Sequence, residues 1–298
     1  MASVREALGA AVDGLTAAGV ESPRLDAELL LGEAIGCGRA RLAAEPGMGV
    51  PAAAARTFGE LVRRRLRREP VAYILGKKGF RHIELAVDRR VLIPRPETEL
   101  LVELAVERGA RRVLDVGTGS GAIALAVADE LPDCEVVATD TSSGALEVAR
   151  ANAVLLGLAE RVTFVEGTLP DGSFDLVLAN LPYVPDGDWR GLQPEVRDWE
   201  PREALVAGPD GLDAYRAFLP ECGRPLRRIP PETSAAPGGA VAVEIGIGQA
   251  GAVRGLMRAA GFGRIEVRRD LAGIERVVVG LSYTPERVEA TEGGGGER

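Results

Sequence analysis

A glycine-rich turn, Gly117-Thr118-Gly119-Ser120-Gly121, sits between an apolar run at residues 113–116 and a helical pattern at 122–130. Few folds accommodate this arrangement. The glycines accept positive φ and let the backbone approach a ligand closely, and a turn of this kind between strand and helix belongs to a parallel α/β sheet. The chain around it agrees. Strand patterns at 113–116, 136–139, 162–165, 174–179 and 240–245 alternate with helical ones at 122–130, 145–156, 213–222 and 250–260, and strands at 265–268 and 275–281 close the series. Such alternation predicts a doubly wound, mostly parallel sheet. Ser142 is placed to cap the helix that follows it.

Asp140 ends the second strand of the series, about 20 residues beyond the turn, where an acidic side chain can hold ribose hydroxyls. The pair implies an adenosine-type cofactor. It does not separate a dinucleotide from S-adenosylmethionine, because Gly117-x-Gly119-x-x-Ala122 also fits the dinucleotide fingerprint.

A second tip separates them. The buried run at 176–179 ends at Asn180-Leu181-Pro182-Tyr183, on the same sheet edge as the glycine turn. Pro182 fixes its own φ and holds Leu181 away from the helical region. A dehydrogenase needs a hydride-facing acid or base here. A methyltransferase acting on an amide or aromatic amine needs acceptors aimed at an NH₂ group. The Asn180 side-chain oxygen and a backbone carbonyl near Leu181 can accept its two hydrogens, and the Tyr183 ring can pack on a planar amide. Catalysis of that kind is positioning and electrostatics, with no strong base.

Composition narrows the alternatives. With one histidine, His82, and three scattered cysteines, Cys37, Cys134 and Cys222, a zinc site, a histidine triad or a disulfide framework is not expected. No apolar run is long enough for a membrane span, and the N-terminus has no apolar signal region, so a cytoplasmic protein is expected. Residues 1–80 carry a net charge of +3 and the remainder −11. An acidic catalytic half argues against nucleic acid as a partner.

Ahead of the sheet, residues 1–70 read as helices, with Val4, Leu8, Ala11, Val12 and Leu15 at helical spacing and a later helix placing Phe58, Leu61, Val62 and Leu66 inward. That helix carries Arg63, Arg64, Arg65, Arg67 and Arg68, read either as a solvated basic face or as an electrostatic contact with a partner. Residues 71–93 read as a β-hairpin turning near Asp88-Arg89-Arg90, with His82 an ordinary hairpin residue. Residues 224–239 read as a surface loop, and 284–298 as a disordered tail.

Six segments in this order resemble the bacterial release factor glutamine methyltransferases, the PrmC/HemK family. They are Arg68-Glu69-Pro70-Val71-Ala72-Tyr73-Ile74-Leu75-Gly76, Leu92-Ile93-Pro94-Arg95-Pro96-Glu97-Thr98-Glu99, Asp115-Val116-Gly117-Thr118-Gly119-Ser120-Gly121, Asn180-Leu181-Pro182-Tyr183, Glu200-Pro201-Arg202-Glu203-Ala204-Leu205 and Arg269-Asp270-Leu271-Ala272-Gly273-Ile274-Glu275-Arg276.

The resemblance implies a helical N-terminal substrate-recognition domain (1–70), a β-hairpin linker (71–93) and a Rossmann-like seven-stranded methyltransferase domain (94–283). It implies S-adenosyl-L-methionine as donor and S-adenosyl-L-homocysteine as product. The substrate would be a class 1 peptide chain release factor, methylated on the side-chain N(5) of the glutamine in its Gly-Gly-Gln loop. Gly117, Thr118, Gly119, Ser120, Gly121, Asp140, Leu169 and Asn180 would bind the cofactor. Asn180, Leu181, Pro182 and Tyr183 would hold the glutamine, with Asn180, Pro182 and Tyr183 carrying the chemistry.

Two positions depart from the family pattern. Leu181 replaces the proline of Asn-Pro-Pro-Tyr, keeping the backbone carbonyl with less rigidity. Thr168 stands where an aspartate is frequent, which leaves Leu169 as an apolar face for the adenine. The alternatives are an adenine-amino methyltransferase acting on DNA or RNA, a dinucleotide-dependent oxidoreductase and a cofactor-binding module without activity.

Overall fold

Local chemistry sets the helices at the N-terminus. A computed structural model describes residues 2–222, 226 and 239–282. Helix α1 (Val4–Ala17) opens on a capping box in which the Ser3 side chain accepts from the Glu6 N–H while Glu6 accepts from the Ser3 N–H. Helix α2 (Pro23–Ile35) begins on its proline and stops at left-handed Gly36. A short α3 (Arg39–Ala44), α4 (Ala52–Leu66) and α5 (Val71–Leu75) follow. These helices share one core, with Leu8, Leu15, Leu30, Leu31, Leu42 and Phe58 buried in it.

The hairpin differs from the expected one. Its strands are β1 (Lys77–Phe80) and β2 (Ile83–Ala86), paired antiparallel, so the turn falls at Arg81-His82 rather than at Asp88-Arg89-Arg90. Two features move it. Pro70 and Gly76 bracket residues 71–75 as a helical turn. Arg81 adopts φ 50°, in a conformation held by its guanidinium on Glu103 and Glu130 and by its N–H on Glu99. His82 lies exposed at the tip.

Helix α4 also corrects an expectation. Leu66 is partly exposed, and Arg65 takes the inward position with 5% of its surface accessible. Its guanidinium donates to Asp26 of α2 and to Glu195, both at 2.6 Å. Arg68 also pairs with Glu195. Three of the five arginines are therefore engaged within the chain, Arg64 on Glu69 and the other two on Glu195. They form neither a solvated face nor a free docking surface.

The remaining elements are α6 (Glu99–Arg108), β3 (Arg112–Val116), α7 (Ala122–Glu130), β4 (Glu135–Asp140), α8 (Ser143–Leu155), β5 (Val162–Glu166), β6 (Leu176–Ala179), α9 (Pro194–Arg197), α10 (Asp213–Phe218), β7 (Ala240–Glu244), α11 (Ala250–Ala259), β8 (Phe262–Arg269) and β9 (Glu275–Ser282). They build a seven-stranded sheet in the order β5-β4-β3-β6-β7-β9-β8. The first five strands are parallel, and β9 runs antiparallel between β7 and β8.

Strands buried on both faces explain the unbroken apolar runs. Leu176 and Leu178 face one core with α6 and α7, whereas Val177 and Ala179 face the other with α10 and α11. Helix α10 is shorter than the pattern at 213–222 suggested. The anticipated tail at 284–298 and most of the loop at 224–239 lie outside the described residues. Among the described residues, no helix is long and apolar enough to cross a membrane, and no cluster of acidic, histidine or cysteine side chains could hold a metal ion.

Candidate active site

The sheet order reverses between β3 and β6, and the crevice beyond the carboxyl ends of such strands is where open α/β sheets bind ligands. Here it is a cavity of about 230 Å³. The glycine turn follows β3 and the Asn180 tip follows β6, so adjacency of these two strands brings the two motifs together.

Gly117, Gly119 and Gly121 all lie at positive φ, 73°, 56° and 84°. At Gly121 a Cβ would also crowd Leu125 at 2.8 Å and Ala149 at 3.3 Å, so a side chain there would add a clash to the backbone strain. The turn is tied to β4. The N–H groups of Gly117 and Thr118 both donate to the Thr139 carbonyl at 2.9 Å, and the Gly119 N–H donates to Asp140 Oδ2 at 2.9 Å. The other Asp140 oxygen accepts from the Ser142 N–H at 2.8 Å. Each oxygen keeps a lone pair for a ligand.

Asp115 lies under the turn with no exposed surface. Its Oδ2 accepts from the Thr118 hydroxyl at 2.6 Å and the Ala124 N–H, whereas Oδ1 has no partner among the described residues. Burial pushes its carboxyl up to about 7, with Asp140 acting in the same direction.

At the second tip, Asn180 Nδ2 donates to Thr98 Oγ1 at 3.0 Å. The Thr98 hydroxyl in turn donates to Glu244 Oε2 at 2.6 Å. Glu244 ends β7 with 1% of its surface accessible, and burial pushes its carboxyl up to about 7. Leu181 reaches the glycine turn. Its Cδ2 would lie 3.7 Å from a Cβ on Gly117, so a side-chain contact stands where the family pattern has a proline ring.

Gly117, Thr118, Gly119, Ser120, Asp140, Asn180, Leu181 and Pro182 line the cavity, joined by Thr98, Thr168, Val91, Leu92, Pro94, Pro201 and Ala204. Three anticipated residues stand back from it. Gly121 caps α7, and Leu169 packs on the α10–α11 core. Tyr183 is held at Glu244 Oε1 and Gln249, with its phenol pushed well above its usual range by burial.

The two buried carboxyls give a pH expectation. Between about 4.5 and 7 the folded chain keeps protons that the unfolded chain has lost, so stability falls as pH rises through that window. Each group contributes on the order of 3–4 kcal/mol by pH 8. Urea midpoints at pH 5 and pH 8 check the sign, and a higher midpoint at pH 8 contradicts it.

Comparison with known proteins agrees with this geometry. The PrmC N-terminal domain family matches residues 6–76, and a methyltransferase domain family matches residues 113–199. A release factor glutamine methyltransferase of Caulobacter vibrioides is 44% identical over 280 residues, covering 91% of this chain and 94% of that protein. One from Moorella thermoacetica is 45% identical, covering 92% and 96%. The chain belongs to the release factor glutamine methyltransferase family. It is an S-adenosylmethionine-dependent protein-glutamine methyltransferase. The human METTL16 catalytic domain, solved with the MAT2A 3'UTR hairpin 6, shares 14% identity at a TM-score of 0.52, covering 67% of this chain and 76% of that one, a likeness of fold alone.

Placed on this methyltransferase, the remaining family segments share a task that sequence reasoning missed. Arg95 and the Ile93 N–H are bound by Glu200, and Arg276 joins Glu97 to Asp270. They fix the proline-stiffened loop that carries Thr98. Thr98 and Glu244 lie 146 residues apart, and their only sequence signal was membership of a rigid loop and the end of a strand.

Proposed function

We propose that this enzyme transfers a methyl group from S-adenosyl-L-methionine to the side-chain N(5) of the glutamine in the Gly-Gly-Gln loop of class 1 peptide chain release factors, in the cytoplasm. Relatives named release factor glutamine methyltransferase, matching over nine-tenths of the chain, support a release factor glutamine as the acceptor. The observation that carries the mechanism is the hydrogen bond from Asn180 Nδ2 to Thr98. It commits the nitrogen end of the carboxamide and leaves Oδ1 to accept.

The cavity suits the donor. It is lined by glycine backbone and by Asp140, so it favours a ligand with hydroxyls and cationic groups. Gly117, Thr118, Gly119, Ser120 and Gly121 would hold the amino-acid end, and Asp140 the ribose. Leu169 would back the adenine wall from behind Thr168. When bound, the sulfonium supplies an electrophilic methyl carbon.

An amide nitrogen is a weak nucleophile because its lone pair is delocalised into the carbonyl. Asn180 Oδ1 and the Leu181 carbonyl would each accept one of its hydrogens, turning the lone pair toward the methyl group. Pro182 and Tyr183 would shape the slot. On taking the methyl group the amide nitrogen would give up one proton to solvent, and the donor would leave with the electron pair of its broken C–S bond. The work is orientation. The helical domain at 1–70 would grip the release factor, with the hairpin region at 71–93 as its link to the sheet domain.

The test is mass spectrometry of a release factor after incubation with enzyme and cofactor. The expected result is one added methyl on the Gly-Gly-Gln glutamine; methylation elsewhere, or none, refutes the proposal. Asp140→Ala is expected to weaken S-adenosyl-L-homocysteine binding about 10- to 100-fold, since charged hydrogen bonds contribute about 1.5–3 kcal/mol. Calorimetry measures it, and unchanged affinity removes Asp140 from the ribose site.

A further inference from the structure

We infer that Thr98 and Glu244 are positioning residues that hold the Asn180 carboxamide with its oxygen toward the substrate, and do so only while Glu244 is ionised. This rests on the proposed acceptor role of Asn180.

The argument is one of proton counting. The Thr98 hydroxyl has a single hydrogen, and it touches both Glu244 Oε2 and the Asn180 carboxamide. An ionised carboxylate only accepts. Thr98 must then donate to Glu244, so toward Asn180 it can only accept. The carboxamide must therefore turn its NH₂ to Thr98, and Oδ1 faces away. The glutamine amide is meant to meet that oxygen.

Protonation of Glu244 removes the rule. The carboxyl then donates to Thr98, the threonine hydrogen is free to donate to Asn180, and either end of the carboxamide finds a partner. The acceptor-out preference then disappears, along with the slot's match to an NH₂ group.

The surroundings of Glu244 set where this happens. Burial pushes its carboxyl up to about 7, and Glu97 acts in the same direction. The Thr98 hydroxyl, the Tyr183 hydroxyl and Arg276 oppose them. Tyr215 donates to the Glu244 backbone carbonyl at 2.7 Å and keeps the strand end in place. Arg276 is itself shared with Asp270 and Glu97, so it leaves the balance near neutrality.

The experiment measures kcat and the KM for S-adenosylmethionine from pH 6 to 9, with a release factor as substrate, for the wild type, Thr98→Val, Thr98→Ser, Glu244→Gln and Asn180→Ala. Wild-type kcat should fall below a pH near 7 at constant KM. Thr98→Ser should keep both rate and profile. Thr98→Val and Glu244→Gln should lose about 10- to 100-fold in kcat at pH 8 and lose the acidic limb. A Thr98→Val enzyme with wild-type rate and profile overturns the inference, and because valine is nearly isosteric with threonine this arm stands even if Glu244→Gln fails to fold.

Asn180→Ala separates the two levels. If it retains transfer, the acceptor role itself falls. If it is inactive while Thr98→Val is normal, only the relay falls. Nitrogen NMR of the Asn180 side-chain amide in the free enzyme needs no turnover. Its resonances should shift with pH near 7 in the wild type and not in Glu244→Gln; a pH-independent signal in the wild type overturns the inference even without a competent substrate.

Discussion

Replacing Asn180 with alanine is expected to lower methyl transfer by about 10³-fold or more while leaving S-adenosyl-L-homocysteine affinity within about threefold of wild type. Removing a single oriented polar group from a transition state typically costs 10²–10³ in kcat. The proposed role of Asn180 adds alignment of the nitrogen with the methyl carbon, which has its own large factor. The substitution also deprives Thr98 of its donor. The glycine turn and Asp140 keep their own hydrogen bonds and should hold the cofactor unaided. Single-turnover transfer of a labelled methyl group, with calorimetry on the same preparation, measures both quantities. A rate within tenfold of wild type would take Asn180 out of the chemistry.

Arg65→Ala should be the most damaging change outside the cavity, at about 3–5 kcal/mol of stability. Breaking a buried ion pair leaves a charge without a partner, and that penalty exceeds what the pair contributed. Among the described residues Asp26 keeps no other ion pair, whereas Glu195 retains Arg68. Most of the loss should therefore arise at α2 and α4, inside the helical core. Asp26→Asn, which removes the orphaned charge, should restore part of it in the double variant. Chemical denaturation of the four proteins gives the cycle, and a loss below 1 kcal/mol for Arg65→Ala would mean that solvent reaches Asp26.

What could be read in advance follows a physical divide. The glycine turn, Asp140 and the Asn180 tip were legible because backbone geometry within a few residues of each dictates the residue types, and because strand adjacency brings them to one edge. The alternating pattern gave the sheet for the same reason. Arg65 was not legible, since a run of arginines at a helix end reads as solvated until a carboxylate from a distant segment meets it. The hairpin turn moved because Arg81 accepts a strained φ in return for three acidic partners from α6 and α7. The pairing of Thr98 with Glu244 joins the loop before α6 to the end of β7 across the length of the sheet domain, and no local pattern encodes it.

The Glu195 clamp has a mechanical meaning. Glu195 belongs to the excursion that leaves Tyr183 and returns to line the cavity at Pro201 and Ala204, and it is gripped by two arginines from the helical region. On the proposed function, slot and helices would act as the two jaws of a fixed gauge. A glutamine on a short peptide would meet one jaw only. A folded protein of the right span would meet both, so the choice among the many glutamines of a cell would rest on a measured distance between surfaces, with the slot itself reading nothing more than an amide.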